Sequence, residues 1–410
     1  MKKLIILFLM LSLMIGVLSA CNSSPAVSNS SPDNSQESTS VGSSGFDRQV
    51  TGYVELVALT YNQTMAFSDG MCAVIVGNPN DLSESTFGFV DESGTLVIPT
   101  IYDWAHNFSE GYAAVQLDGK WGFIDKKGDV IIPLTYDWAH PFSEGLAAVL
   151  LNGEWSYIDI NGDVVIAFEY AINDVLPLGS FSEGLARVAF QEREGLGKIS
   201  YIDASGNVIL SLDYENAGDF VNGRASVSLD KKWGFIDKEG NEVIAPIYDW
   251  VTDFTDDGIT ATWLAHDPSS SRLPIVSNGK WGYIDKNGEE ILPFIYDDAY
   301  SFDNGVAVVN VEGKYGYIDF DGNEVLPFVY DNASSFYNGA AIVVVNGKGA
   351  YGVLGDFMLI DASGNVIAEL PYDIVVYRSF GNVAAVAVFD SPDSYDMSTA
   401  KWGFIAFTYD

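Results

Sequence analysis

The chain has 410 residues, with 56 Asp and Glu against 20 Lys and Arg, and so carries a formal charge of −36. Apolar residues make up 48% of it and aromatics 13%, enough for a large buried core, which excludes global disorder. The acidic excess repels phosphate backbones and anionic head groups, so nucleic acid is excluded as a partner while cations and neutral sugars stay open. Two cysteines, Cys21 and Cys72, do not make a disulfide scaffold.

The N-terminus reads as an address. Lys2 and Lys3 precede an apolar run from Leu4 to Val17, and small residues follow, as in a secretory signal. The run Leu18-Ser19-Ala20-Cys21 resembles the bacterial lipobox. That resemblance implies cleavage after residue 20, a lipid on Cys21, and a place outside the cytoplasm on the cell membrane. A diacylglycerol there meets the two-chain requirement for stable anchoring. Residues 21–45 are rich in Ser, Asn, Pro and Gly and read as a tether, with a coil reach of roughly 25–30 Å.

From residue 46 to 410 the chain repeats itself. One unit runs Phe142-Ser143-Glu144-Gly145-Leu146-Ala147-Ala148-Val149, then Asn152-Gly153, then Trp155-Ser156-Tyr157-Ile158-Asp159, then Asn161-Gly162 and Val164-Val165-Ile166. The Phe that starts it recurs at Phe67, Phe108, Phe181, Phe220, Phe254, Phe302, Phe336 and Phe380. The best aromatic segments are Trp121-Gly122-Phe123-Ile124-Asp125, Trp233-Gly234-Phe235-Ile236-Asp237 and Trp281-Gly282-Tyr283-Ile284-Asp285. These resemble the WG-repeat (KWG-type) family, and the likeness extends over about nine copies. Ser156, Ser200 and Met358 depart from it at the Gly position. The family is defined by its repeat, so the resemblance implies a fold and no reaction.

Each unit predicts a three-stranded antiparallel meander, with a possible fourth short strand near Tyr-Asp. Asn152-Gly153 and Asp118-Gly119 are two-residue hairpin signals, because both residues tolerate positive φ. In the aromatic strand Trp121 and Phe123 share one face, Gly122 and Ile124 the other. The Gly lets a neighbouring backbone or ring come close. Asp125-Lys126-Lys127-Gly128 suits a longer turn. Val130-Ile131-Ile132 predicts a strand apolar on both faces, so stacked neighbours must cover each sheet. The fold class is therefore all-β, assembled either as a propeller-like ring or as an open superhelical array. The segment 53–61 resembles a last strand and 402–405 lacks one, so the first could complete the ninth unit, as in propellers.

Two surfaces could bind. Five units carry long first hairpins, at 76–86, 191–198, 264–278, 346–356 and 390–400, and equivalent loops project from one side of an array. On what the sequence suggests is the opposite rim, Tyr102-Asp103-Trp104, Tyr136-Asp137-Trp138 and Tyr248-Asp249-Trp250 place a Trp beside a carboxylate. Such a pair stacks on a sugar and binds its hydroxyls; the competing role is packing on the next unit. The turns Asp159-Ile160-Asn161-Gly162-Asp163 and Asp319-Phe320-Asp321-Gly322-Asn323 lack the further ligands of a calcium loop and read as plain turns. Cys72 stands where other units have Ala, a small core position.

No catalytic motif stands out, and no cofactor or metal is expected. His106 and His140 share a repeat position, which argues against their converging. The reading is a surface-anchored, non-catalytic module that binds a protein or cell-envelope glycan through repeat loops. The alternatives are an envelope scaffold or spacer and, behind it, a cryptic glycan hydrolase built on two of the many carboxylates.

Overall fold

The structure is a computed structural model. It describes residues 50–77, 84–168, 178–189, 199–251, 259–264, 279–302, 305–336, 339–348, 354–376, 383–389 and 400–409. The segments read from sequence as a signal and a tether, with Cys21, lie outside these residues, as do the central parts of the five long hairpins.

Among the described residues the strands form nine sheets of four antiparallel strands each. The second sheet shows the plan: Trp104–Ala105, Tyr112–Leu117, Lys120–Asp125 and Val130–Tyr136, in that spatial order. The possible fourth strand is thus real. It is two residues long, with Trp104 opposite Gln116 and Ala105 opposite Val115.

The two middle strands close through the expected hairpin. Asn152 has φ 53° and Gly153 φ 84°, the left-handed pair that matches strand twist. The second turn is fixed by its Asp. In Asp125-Lys126-Lys127-Gly128, Oδ1 of Asp125 accepts the amides of Lys127 and Asp129, both at 2.9 Å. Asp159 and Asp319 do the same, so both are turn residues, as the sequence predicts.

The Gly of the aromatic strand has a sharper role. Trp121 pairs with Tyr136 and Phe123 with Ile132, so three residues bulge across Gly122. A Cβ on Gly122 would lie 2.6 Å from the Ile132 carbonyl oxygen and 2.8 Å from Leu134 Cα. Gly88 and Gly234 meet the same backbone crossing. Where the Gly is lost, the bulge at that point is lost too: Ser156 pairs with Ala167, Ser200 with Ser211 and Met358 with Glu369. The crossing carries the last strand over to the next sheet. A single residue, Asp137, separates Tyr136 from Trp138.

Sheets pack face to face in chain order. Trp121 and Phe123 of the second sheet join Ala139, Phe142, Val149 and Ile158 of the third in one apolar cluster. Ile124, on the other face, packs with Phe87, Phe89 and Ile98 of the first sheet. This is the alternation read from the sequence. The pattern continues around the chain and ends where it began: Ala387, Trp402 and Phe404 of the ninth sheet pack on Phe67, Cys72 and Val74 of the first. Strand Val50–Tyr61 completes the ninth sheet by pairing with Lys401–Tyr409, then continues through Asn62 into the first sheet. The array therefore closes into a propeller-like ring, and the open superhelix is set aside.

One expectation fails. The last strand of each sheet is an edge and is not covered on both faces. Ile132 is buried, but Val130 is 52% exposed and Val164 58%. The ring needs cover between sheets, not around its edge.

Candidate functional site

The Tyr-Asp-Trp crossovers are anchored by chemistry internal to the ring. Asp137 Oδ1 takes Lys120 Nζ at 2.6 Å, and its Oδ2 accepts the Asn152 amide at 2.7 Å. One carboxylate thus joins the aromatic strand of one sheet to the first hairpin of the next. Asp249 is paired with Lys232 at 2.6 Å, and Asp297 and Asp331 repeat the arrangement with Lys280 and Lys314. Asp103 faces the Gly119 amide at a long 3.4 Å. Lysine holds the carboxyls of Asp137 and Asp331 below the usual range, and at Asp297, against the raising effect of burial, Lys280 and the Glu312 amide do the same.

This geometry corrects the placement of the two rims. The Asp137 carboxylate touches the Asn152-Gly153 turn, so the crossovers and the first hairpins share one rim. The other rim holds the Phe-Ser-Glu-Gly and Asp-x-x-Gly turns. Here each unit grips the next: Ser109 Oγ donates to the Phe142 carbonyl at 2.7 Å, and Glu110 accepts the amides of Glu144 and Gly145. Ser143 and Glu144 do the same to Phe181 and Gly184.

The three candidate tryptophans differ. Trp104 is half-buried and packs on Phe87, with ring centroids 5.2 Å apart. Trp138 is half-buried and packs on Trp121 at 5.1 Å. Both serve the contact between sheets. Trp250 touches Trp233 at 6.0 Å yet is 41% exposed, the one of the three that offers an open face. Sheets with Asp298 or Asn332 at this position fold alike, so the ring does not require Trp there.

A second cluster lies at the first-strand edge, and the sequence reading missed it. His106 stacks on Trp121 at 5.0 Å, and both His106 and His140 pack against Trp138 at 6.2 Å. In a ring, the same position on adjacent units brings residues together; it does not separate them. Burial and the neighbouring His140 lower the His106 pKa to about 3. Burial and the charge of Arg187 lower that of His140 to about 4. Both imidazoles are thus neutral at pH 7, and each Nε2 is sealed off without a partner. Arg187 of the fourth sheet and Asp219 of the fifth act in opposite senses on the phenols of Tyr157 and Tyr201, which burial raises. Those phenols donate to the Gly179 and Gly218 carbonyls of the following sheets. The signal available in the sequence was Arg187 itself, a charge where neighbouring units have Ala114 and Ala148.

Cys72 is wholly buried and its Sγ donates to the Met65 carbonyl at 2.9 Å. Burial pushes its pKa far up, so it is the inert core thiol the sequence predicts.

No curated protein matches the chain in sequence. Among solved structures it is similar to a eukaryotic initiation factor, with TM-score 0.54 and 11% identity over 77% of this chain and 88% of that one. It is also similar to the Dos1 propeller, at TM-score 0.38 and 12% identity, covering 90% and 96% of the two chains. For the Neurospora crassa Pan2 WD40 domain the values are 0.33 and 12%, covering 88% and 96%. Of these three, the first is similar enough to bear on the fold, and at such identity it bears on nothing else. The family model for the WG containing repeat matches at residues 87–121, 121–155, 155–190, 199–233, 233–261, 281–315 and 315–348. With more than half of its length matched, the chain belongs to the WG-repeat family.

Proposed function

We propose that this protein is a lipid-anchored, non-catalytic binding module of the cell envelope, which recognises a protein or glycan through one rim of the ring. The observation that carries this reading is the unequal use of the two rims. The five long hairpins all join the second and third strands of their sheets, and so belong to the crossover rim. The opposite rim is occupied by unit-to-unit hydrogen bonds, and its Asp-x-x-Gly turns keep one length from Asp91 to Asp361. Length variation concentrated on one face is the pattern of a repeat array that binds there. Trp250 adds an exposed aromatic on that rim. The tether and a lipid on Cys21 would hold the ring close to the membrane.

A scaffold or spacer is the second reading. It is favoured by Asp103, Asp137 and Asp249, whose contacts are made inside the ring. One experiment separates the two. The chain from residue 46 is tested against a glycan array and against envelope extract, beside a variant with 265–278 replaced by a short turn and beside Trp250→Ala. Capture of a ligand that either change abolishes, with the fold intact, supports the binding reading. A ring that captures nothing, or whose capture ignores both changes, supports the scaffold. Fatty-acid labelling that survives Cys21→Ser would refute the anchor.

A further inference from the structure

The outer edge of the ring is built in two ways. In five sheets the last strand carries a proline near its middle: Pro99, Pro133, Pro246, Pro293 and Pro327. Proline offers no N–H to an approaching chain, so at an edge it keeps a further strand from adding. The same five sheets have the Gly and its bulge. Where the Gly is lost the proline is lost with it, and Ala167, Ser211 and Glu369 stand in its place.

The fourth sheet is the open one. Its strand Val208–Leu212 pairs on one side with Ile199–Ile202, and no strand among the described residues lies beyond it. One irregularity falls between Val208 and Leu210; from Leu210 to Leu212 the register is unbroken. No side chain in the strand is charged, and Val208 is 52% exposed and Ile209 48%. The eighth edge has the charge of Glu369 to blunt it, and residues 169–177, which follow the third edge, lie outside the described residues. The neighbours of the fourth edge say what fits it. A Cβ on Gly206 would meet Ile166 of the third sheet, and one on Gly240 would meet Leu210. Exposed Val164 and Val165 thus lie to one side of the edge, and Glu242 of the fifth sheet to the other, where it accepts the Tyr214 hydroxyl at 3.4 Å. Asp163, Asp213 and Glu215 are also exposed here. Among the described residues 159–168, 203–217 and 237–251 the one cation is Lys238, and it pairs with Glu183.

We propose that the outer edge of the fourth sheet takes up, as an added strand, an extended segment of another protein that alternates apolar with Lys or Arg side chains. Backbone pairing along the free edge supplies the affinity. The apolar side chains cover Val208 and Ile209, and the basic ones meet the surrounding carboxylates. A second copy of this chain brings the same acidic surround and no free cation, so like charges oppose it. The edge is separate from the crossover rim, so failure at the rim leaves it standing.

The test is fluorescence anisotropy of short labelled peptides with the full mature chain. One peptide alternates Val and Lys, a second is the same with Pro in place of its central valines, and a third alternates Val and Glu. The wild type is compared with Ser211→Pro, which copies the other edges, and with Ile209→Lys, a change at an exposed side chain that serves if proline unsettles the pairing with Ser200. Saturable binding of the Val-Lys peptide is expected, weakened about tenfold or more in both variants and for the Pro peptide. A photo-crosslinker on the Val-Lys peptide should attach within residues 203–215. Absence of binding overturns the proposal, as does equal binding of the Pro or Val-Glu peptide, equal binding by wild type and variants, or attachment elsewhere. So does a homodimer that Ile209→Lys dissolves, which would give the edge to a second copy.

Discussion

Gly122 lies beneath the Ile132 carbonyl, so close that a Cβ would stand 2.6 Å from its oxygen. That contact gives the WG dipeptide a physical meaning. Trp121 fills the space between two sheets, and Gly122 lets the last strand cross the aromatic strand on its way to the next unit. Gly122→Ala should therefore cost about 2 kcal/mol or more, because the obstacle is backbone and cannot swing aside. Ser156→Gly, in a sheet with no crossing at that point, should cost under about 1 kcal/mol. Urea midpoints of the two variants measure the contrast.

Lys120 and Asp137 sit on the surface, so their ion pair alone contributes little. The carboxylate also caps the next hairpin through the Asn152 amide. Asp137→Ala should accordingly lower the melting temperature more than Lys120→Met does. Equal losses would mean that the ion pair is what matters and that the cap does not.

The half-buried histidines, each with a sealed Nε2, impose a pH window. Their folded pKa values, about 3 for His106 and about 4 for His140, lie below the ordinary 6.5, so the ring admits only the neutral forms near pH 7. As the pH falls below about 6.5, the unfolded chain takes up protons that the folded ring refuses, and stability declines until the folded pKa is passed. The expected loss between pH 7 and pH 5 is at most about 1–2 kcal/mol per histidine. Asp203, lowered by its Asn207 side-chain and backbone bonds, adds a separate decline that begins only near its ordinary 3.8. His106→Gln with His140→Gln should flatten the first decline and leave the second. Denaturant midpoints taken from pH 7 down to about pH 2 follow both.

Much of this was legible before any coordinates. The repeat, the Asn-Gly hairpin and the opposed faces of Trp121 and Ile124 follow from local pattern, which the chain states nine times over. What escaped was set by closure. Val130 and Ile131 read as doubly covered because hydropathy does not tell a central strand from an edge. His106 and His140 read as separate because sequence spacing does not say that equivalent positions meet across a ring. The crossover rim was misplaced for a simpler reason. Asp137 caps a turn 15 residues further on, and no local pattern displays that bond.

Closure itself is open to direct measurement. Gly52 and Thr408 are register partners between strand Val50–Tyr61 and strand Lys401–Tyr409. A Gly52→Cys, Thr408→Cys variant made on Cys21→Ser should form a disulfide under mild oxidation, while buried Cys72 stays reduced, and the bond should raise the melting temperature. Failure of the two cysteines to join in the folded protein, or a bond that forms only between molecules, would contradict a ring completed by its first strand.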